Sequence, residues 1–150
     1  MKNLTLFLLS ALLCSSTSLA ANKRIYGDVH VKNIEPIENF IWERANKNTP
    51  KYPIELARSG IRGCSVLTFD ISQSGKTKNV DIISSQPNKH VGKYARKMLK
   101  KWKWVPASSS SSEKFATSEK RTLRLDFCMG QSSLEESQQA CAQQAKMTCG

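Results

Sequence analysis

A 56-residue stretch, Lys51 to Pro106, constrains the fold of this chain more than any other feature. Its apolar residues alternate from Cys64 to Ile71, which is the period of a half-buried strand. They then recur at helical spacing along Val91–Trp104, with lysine and arginine on the other side. Between these segments, Ser72–Lys76 is typical of a hairpin loop and Thr77–Ser84 of a return strand. The stretch therefore predicts a strand, a hairpin, a second strand and an amphipathic helix.

Two further elements are predicted after this stretch. A serine run, residues 108–112, indicates a loop. A third strand is then expected over Thr122–Cys128, with Leu123, Leu125 and Phe127 facing inward. Ser133-Leu134-Glu135-Glu136 has the spacing of a capping box, so a helix is expected in the tail.

The N-terminus has the pattern of a secretory signal peptide over residues 1–20, with Lys2, an apolar run over residues 4–13 and small residues up to Ala20. Cleavage there would release the chain into the periplasm. The alternative is an uncleaved inner-membrane anchor through residues 4–13, although this run is shorter than the ~20 residues that span a bilayer. Cys14 suggests a lipoprotein, but the preceding leucine is large for that cleavage site.

The next segment, residues 21–49, is expected to be an N-terminal extension. It contains a short strand around Tyr26–Lys32 and a helix that starts at Pro36 and ends near Asn46–Asn48. A domain over residues 50–128 and a cysteine-containing helical tail over residues 129–150 complete the predicted organisation.

The formal net charge of +11 favours anionic partners such as anionic lipid or cell-wall polymers. Export argues against nucleic acid. No catalytic or metal-binding pattern is present, because His30 and His90 lack nearby ligands and Asp70, Asp81 and Asp126 are scattered along strands. We expect no enzyme activity, no cofactor and no metal.

A set of glycines, prolines and aromatic residues in the stretch resembles the TonB C-terminal domain family over about residues 50–128. The residues that carry the resemblance are Tyr52, Pro53, Ala57, Gly60, Gly63, Phe69, Gly75, Asn79, Val80, Pro87, Trp102 and Pro106. The resemblance implies an α+β fold, with a three-stranded antiparallel sheet and a helix packed on one face. In this chain, N-terminal and C-terminal helices would flank that unit.

The resemblance also implies a binding site. In the family the third strand lies at the sheet edge and takes up the TonB box, a short peptide of an outer-membrane receptor, as an added strand. Mapped onto this sequence, that edge is Arg121, Thr122, Leu123, Arg124, Leu125, Asp126 and Phe127, with Thr122 and Arg124 facing outward to the peptide. The alternative is that the edge is buried under the tail or self-paired in a homodimer.

Two functions compete at this point. The first is a TonB-like module of receptor-dependent transport, with inner-membrane motor proteins as further partners. The second is a soluble envelope accessory or structural protein whose basic face binds peptidoglycan, anionic lipid or an assembly partner. The chain departs from the transducer plan because it has no convincing retained anchor, no long proline-rich spacer and an added cysteine tail.

Four cysteines follow the signal peptide, which predicts two disulfides. If the first and third strands pair with position numbers that sum to 192, Cys64 meets Cys128 and Cys141 is left with Cys149. A continuous helix would separate the last two Cα atoms by ~12 Å, beyond the ~7 Å limit of a disulfide. Either the helix breaks near Gln143–Gln144 or the connectivity differs.

Overall fold

A computed structural model describes residues 26–36, 40–108 and 117–150. The predicted signal peptide, Cys14 and most of the serine run lie outside the described residues. The described elements, in chain order, are β1 (Tyr26–Asn33), β2 (Trp42–Arg44), α1 (Ile54–Arg58), β3 (Gly63–Ile71), β4 (Thr77–Gln86), α2 (Asn88–Leu99), β5 (Trp104–Pro106), β6 (Glu119–Gly130) and α3 (Leu134–Gln144).

The fold is α+β, as predicted, and is built on a four-stranded antiparallel sheet in the order β1-β6-β3-β4. A second, two-stranded sheet pairs β2 with β5. The three strands predicted for the domain are present as β3, β4 and β6. Strand β3 lies between the other two and pairs with both. The strand expected around Tyr26–Lys32 is present as β1, and it pairs with β6 at the edge of the sheet, a pairing that the sequence did not predict.

One face of the large sheet forms the hydrophobic core with α2. The alternation of β3 and β6 places Leu67, Phe69, Leu123, Leu125 and Phe127 on this face, and all five are fully buried. The apolar stripe of α2 packs against them through its buried members, which are Val91, Ala95 and Leu99. Each fully buried large apolar side chain stabilises the fold by roughly 1.5–3 kcal/mol relative to an exposed one.

Two glycines are required by backbone geometry. Gly75 has a φ of +69° in the β3–β4 hairpin, and its carbonyl accepts a hydrogen bond from the Trp104 N–H at 2.9 Å. A Cβ at Gly75 would lie 2.2 Å from the Trp104 carbonyl oxygen, and one at Gly63 would lie 1.9 Å from the Gln86 carbonyl oxygen. These positions therefore join the hairpin to β5 and the start of β3 to the end of β4.

The other face of the sheet is covered by α3, which packs on β6 and β1. This helix begins as predicted, because the Ser133 side chain accepts a hydrogen bond from the Glu136 N–H at 3.1 Å. Glu136 in turn accepts bonds from the backbone N–H and hydroxyl of Ser132 and from the Gln131 N–H. These bonds hold the pKa of Glu136 below its ordinary value, with the Ser132 N–H contributing most.

The predicted helix from Pro36 to Asn46–Asn48 is wrong over its described part, where Trp42–Arg44 forms β2; residues 37–39 lie outside the described residues. Pairing with β5 places Trp42 opposite Pro106 and leaves it 4% exposed. The helical spacing of Phe40 and Ile41 was misleading because this segment is shaped by distant partners, which local periodicity does not encode.

The predicted disulfides are also wrong. The structure pairs Cys64 with Cys149 and Cys128 with Cys141. The position numbers of paired β3 and β6 residues sum to 190 rather than 192, so Leu67 lies opposite Leu123 and Cys64 lies opposite Asp126. This two-residue shift keeps every side chain on its expected face but removes Cys128 from the place opposite Cys64. Both bridges instead fix the tail to the sheet.

Candidate peptide-binding edge

Strand β6, the predicted peptide-binding edge, lies inside the sheet. It pairs with β3 on one side and with β1 on the other, so its backbone ladder is occupied. Of the seven predicted contact residues none is exposed, and Leu123, Leu125, Asp126 and Phe127 are fully buried. The prediction of an open edge at Arg121–Phe127 is therefore wrong, because residues before the family-like region supply a further strand.

The edge on this side of the sheet is β1. No described strand pairs with its far side. The Ile34 N–H donates to the Thr122 carbonyl at 3.1 Å, and these two positions follow the β1–β6 register. Since hydrogen-bonded pairs alternate along an antiparallel ladder, the even-numbered residues of β1 bond to β6. The backbone N–H and C=O groups of Gly27, Val29, Val31 and Asn33 consequently point away from the sheet.

The opposite end of the sheet gives the same parity. The Ser72 N–H donates to the Lys76 carbonyl at 2.9 Å, which assigns the even-numbered residues of β3 to its ladder with β4 at this hairpin. Odd residues of β3 then bond to odd residues of β6, and even residues of β6 to even residues of β1. The backbone N–H and C=O groups of these four residues of β1 thus offer a regular ladder to an added strand.

Strand β1 is held firmly on β6. Val29 is buried at 2% exposure opposite Phe127, and the backbone of Gly27 lies so close to Tyr52 that a Cβ would meet its ring at 2.6 Å. Beyond the end of β1, the Glu35 carboxylate accepts a hydrogen bond from the Thr122 N–H at 3.0 Å. Helix α3 also packs on β1. These contacts make β1 a part of the sheet rather than a loosely attached arm.

Arg124 faces α3 instead of solvent. Its guanidinium binds the fully buried Asp126 carboxylate with two bonds of 2.8 and 2.9 Å. It also donates to the carbonyls of Gln144 and Met147 at 2.8 and 2.6 Å, which satisfies carbonyls at and just beyond the C-terminal end of α3. The expectation that Arg124 contacts a peptide from an exposed position is corrected by this burial.

Arg121 joins the small sheet to the large one. It is 3% exposed, forms an ion pair with Glu119 and donates to the Trp42 carbonyl. Its guanidinium carbon lies 3.7 Å from the centre of the Phe40 ring and 5.0 Å from that of Trp104. Its side chain also lines a cavity that adjoins β1.

A trough runs from the end of β1 across the small sheet to α2. Its first cavity adjoins the sheet edge and is lined by Val31 and Asn33 of β1 and by Arg44 and Trp102.

Two further cavities extend the trough toward α2. The second cavity shares Arg44 and Trp102 with the first and adds Lys51 and Lys101. The third cavity continues to Tyr94 and Lys97. The volumes of 440 to 560 Å³ fall in the ~300–1,000 Å³ range of ligand clefts. Together, the three cavities form what we term the Trp102 trough.

Residues of the predicted motif contribute to packing, to the ends of elements and to the lining of the trough. Tyr52 donates from its hydroxyl to the Ile61 carbonyl at 2.6 Å and packs edge-on against Phe127. Burial raises the pKa of Tyr52 to about 12. Pro53 and Pro87 precede α1 and α2, Pro106 ends β5, and Trp102 lines the trough.

Sequence reasoning missed the outward ladder of β1 and the groups from Arg44 to Lys51 that line the trough. The alternation of Val29 and Val31 is a strand signal, and it did indicate a strand near Tyr26–Lys32. This alternation carries no information about which strand it pairs with. The sequence therefore placed the sheet edge at β6, although β1 lies outside β6.

A family model described as the Gram-negative bacterial TonB protein C-terminal matches residues 48–127, a little over half of the 150 residues. The chain belongs to this family. The match begins after β1 and β2 and ends before α3. Both the strand on the β6 edge and the disulfide-bonded helix on the outer face therefore lie outside the matched TonB region.

The relatives include Protein TonB of Xanthomonas campestris pv. campestris strain B100, which is 34% identical over 71 residues, 47% of this chain and 31% of that protein. Protein TonB of Escherichia coli K12 is 26% identical over 66 residues, 44% of this chain and 28% of that protein. The match spans less than a third of the length of each of these two relatives.

Among solved structures, the solution NMR structure of the Pseudomonas aeruginosa TonB C-terminal domain matches with a TM-score of 0.40 and 20% identity. The match covers 63% of this chain and 87% of that one. In the described part of this chain, no helix is long and apolar enough to span a membrane.

Proposed function

We propose that this protein is a TonB-like binding module of TonB-dependent transport, acting in the periplasm, and that it takes up a receptor TonB-box peptide by β-strand addition. In this chain the peptide adds to β1 rather than to Arg121–Phe127. The observation that carries the proposal is the outward ladder of Gly27, Val29, Val31 and Asn33 on a firmly held antiparallel strand.

The far edge of the sheet is a poorer site for strand addition. Strand β4 has two register irregularities against β3, and Asn79 within it has a φ of +47°. Bulges of this kind twist an edge away from a regular partner. Strand β1 keeps one register along all eight residues, so it presents evenly alternating donors and acceptors.

A proline substitution tests the edge directly. Val31→Pro removes one outward N–H while leaving the bonds of His30 and Lys32 to β6, and proline is tolerated where a strand N–H faces away from its sheet. We expect this variant to lose at least about tenfold in affinity for a synthetic TonB-box peptide by calorimetry, because one bond is lost and the ring obstructs the ladder.

Val31→Thr is the matched control, because it keeps the N–H and the β-branched shape. It should bind as the parent does, with amide shifts concentrated at Tyr26–Asn33. Equal binding by the proline and threonine variants, or no binding by the parent at high peptide excess, would contradict the proposal. Shifts confined to β6 with loss of the β1–β6 ladder would mean that the peptide displaces β1.

A second candidate function is an envelope accessory protein that binds cell-wall polymer or anionic lipid. The exposed lysines of α2 and the turn after it favour it, since Lys93, Lys97, Lys100 and Lys101 all face solvent. Co-sedimentation with peptidoglycan or anionic vesicles that disappears at high salt, together with no peptide binding, would select this function over the first.

A further inference from the structure

We infer that the Trp102 trough binds an acidic segment of the partner, directly N-terminal to the residues that add to β1. This inference rests on the proposed function and names the chemistry that a partner needs beyond its strand-forming residues. It follows from three features of the trough: its position, its charge and its fixed walls.

The trough begins at the sheet edge. Val31 and Asn33 line its first cavity, and both belong to the four residues of β1 whose backbone groups point away from the sheet. Every pairing in the large sheet is antiparallel. A strand added to β1 in the same sense therefore has its N-terminal end beside Asn33. The residues that precede this end lie next to the cavity that Asn33 shares with Arg44 and Trp102.

The trough is strongly cationic beyond that point. Among the described residues, the second and third cavities are lined by five cationic side chains and one carboxylate, Glu55. The five are Arg44, Lys51, Lys97, Lys101 and Lys103. A segment with several carboxylates complements this arrangement, whereas a basic segment is repelled.

The walls of the trough are partly fixed before any ligand arrives. The Arg44 guanidinium lies 4.6 Å from the centre of the Trp102 ring and donates to the Asn48 carbonyl at 2.8 Å. The guanidinium therefore covers a face of Trp102, which disfavours a sugar platform on that face. An arginine that lies over an aromatic ring can still donate its remaining N–H groups to a carboxylate. The trough thus favours an acidic peptide over a neutral glycan.

Peptide extensions separate this inference from the proposed function. The probes are one synthetic TonB-box peptide carrying four glutamates at its N-terminus, four serines there, or four glutamates at its C-terminus. Four extended residues span ~13 Å, enough to pass from the strand into the trough. Binding of the serine peptide tests strand addition, and the gain from N-terminal glutamates tests the trough.

We expect the N-terminal glutamates to raise affinity about tenfold over serine at low salt and about twofold at 0.5 M salt, as for exposed ion pairs that salt screens. C-terminal glutamates should give little gain. The double variant Lys51→Glu/Lys101→Glu should abolish the gain, because both lysines line the second and third cavities.

The matched control is Lys78→Glu/Lys93→Glu, which makes the same change in net charge at two exposed lysines outside the trough. It should keep most of the gain. An equal gain from either end of the peptide, or an equal loss in both double variants, would overturn the inference and indicate a general charge effect.

Binding of the serine peptide with no gain from glutamate would overturn the inference while leaving strand addition intact. Failure of every peptide to bind would overturn both. Saturable binding of soluble peptidoglycan fragments at the Trp102 indole, with no gain from acidic extensions, would assign the trough to a cell-wall glycan instead.

Discussion

At the scale of single residues, Arg121 and Arg124 show what strand parity can and cannot reveal. Alternation places Arg121 on the core face with Leu123, and Arg124 on the other face with Asp126. Both faces were predictable. The elements that pack over each face were not predictable, because Arg121 contacts Trp42, 79 positions away in the sequence, and Arg124 contacts carbonyls of the tail. Sequence alternation assigns a side chain to a face but does not say what lies over it.

Replacing Arg121 with lysine should destabilise the protein by about 2–4 kcal/mol, because a buried cation loses a planar fork that binds Glu119, the Trp42 carbonyl and two aromatic rings. The free energy of unfolding in urea measures this. Arg62→Lys is the control at an exposed position, where the change should stay within about 0.5 kcal/mol. Similar values for both variants would show that Arg121 does not join the two sheets.

Tyr52 should titrate near pH 12, since burial raises its pKa from 10.0 to about 12. The neutral form is favoured in the folded state. The stability that this contributes is present below pH 10 and is lost as pH rises from about 10 to about 12. Tyrosinate absorbance at 295 nm in the parent and in Tyr52→Phe tests the assignment. Loss of an ordinary titration near pH 10 in the variant would contradict it.

At the scale of elements, local periodicity was sufficient for β3, β4 and the body of α2, and the capping box was sufficient for the start of α3. These elements are specified by neighbours in the sequence. The helix predicted over Val91–Trp104 was too long, because α2 ends at Leu99 and Trp104 begins β5. Strands β2 and β5 were missed because each has three residues and is specified by its pairing and by the aromatic packing of Trp104 on Phe69. The register of β3 against β6 was also predicted wrongly. A two-residue shift keeps every side chain on the same face of the sheet, so the hydrophobic pattern does not reveal it.

The two disulfides should contribute unequally to stability. Cys64–Cys149 closes a loop of 85 positions and Cys128–Cys141 a loop of 13. Under the loop-entropy model, replacing both cysteines of a bridge with alanine should lower the free energy of unfolding by about 4.5 kcal/mol for the first bridge and about 3 kcal/mol for the second. Urea unfolding of the two double-alanine variants measures the order. Peptide mapping without reduction should recover the same two pairs, and a Cys64–Cys128 peptide would contradict the register.

At the scale of the whole molecule, the chain combines a region of the TonB C-terminal family, residues 48–127, with elements on two sides of the sheet. Residues 48–127 account for α1, β3, β4, α2, β5 and the larger part of β6. Strand β1 occupies the β6 edge. One disulfide, Cys128–Cys141, joins α3 to β6, and the other, Cys64–Cys149, joins the end of the tail to β3. Arg124, paired with Asp126, also donates to carbonyls at and just beyond the end of α3. The family-like part was predictable from its motif residues. The elements outside that region moved the accessible edge outward by one strand, which only the assembled structure could locate.

Amide hydrogen exchange, with and without a saturating TonB-box peptide, tests the central claim that the partner adds to β1. In the free protein, Asp28, His30 and Lys32 should be protected while Val29, Val31 and Asn33 exchange quickly, because only the even-numbered amides bond to β6. Peptide should protect the three odd-numbered amides and leave Arg121–Phe127 unchanged. Uniform fast exchange along β1 in the free protein, or peptide protection confined to β6, would contradict the account.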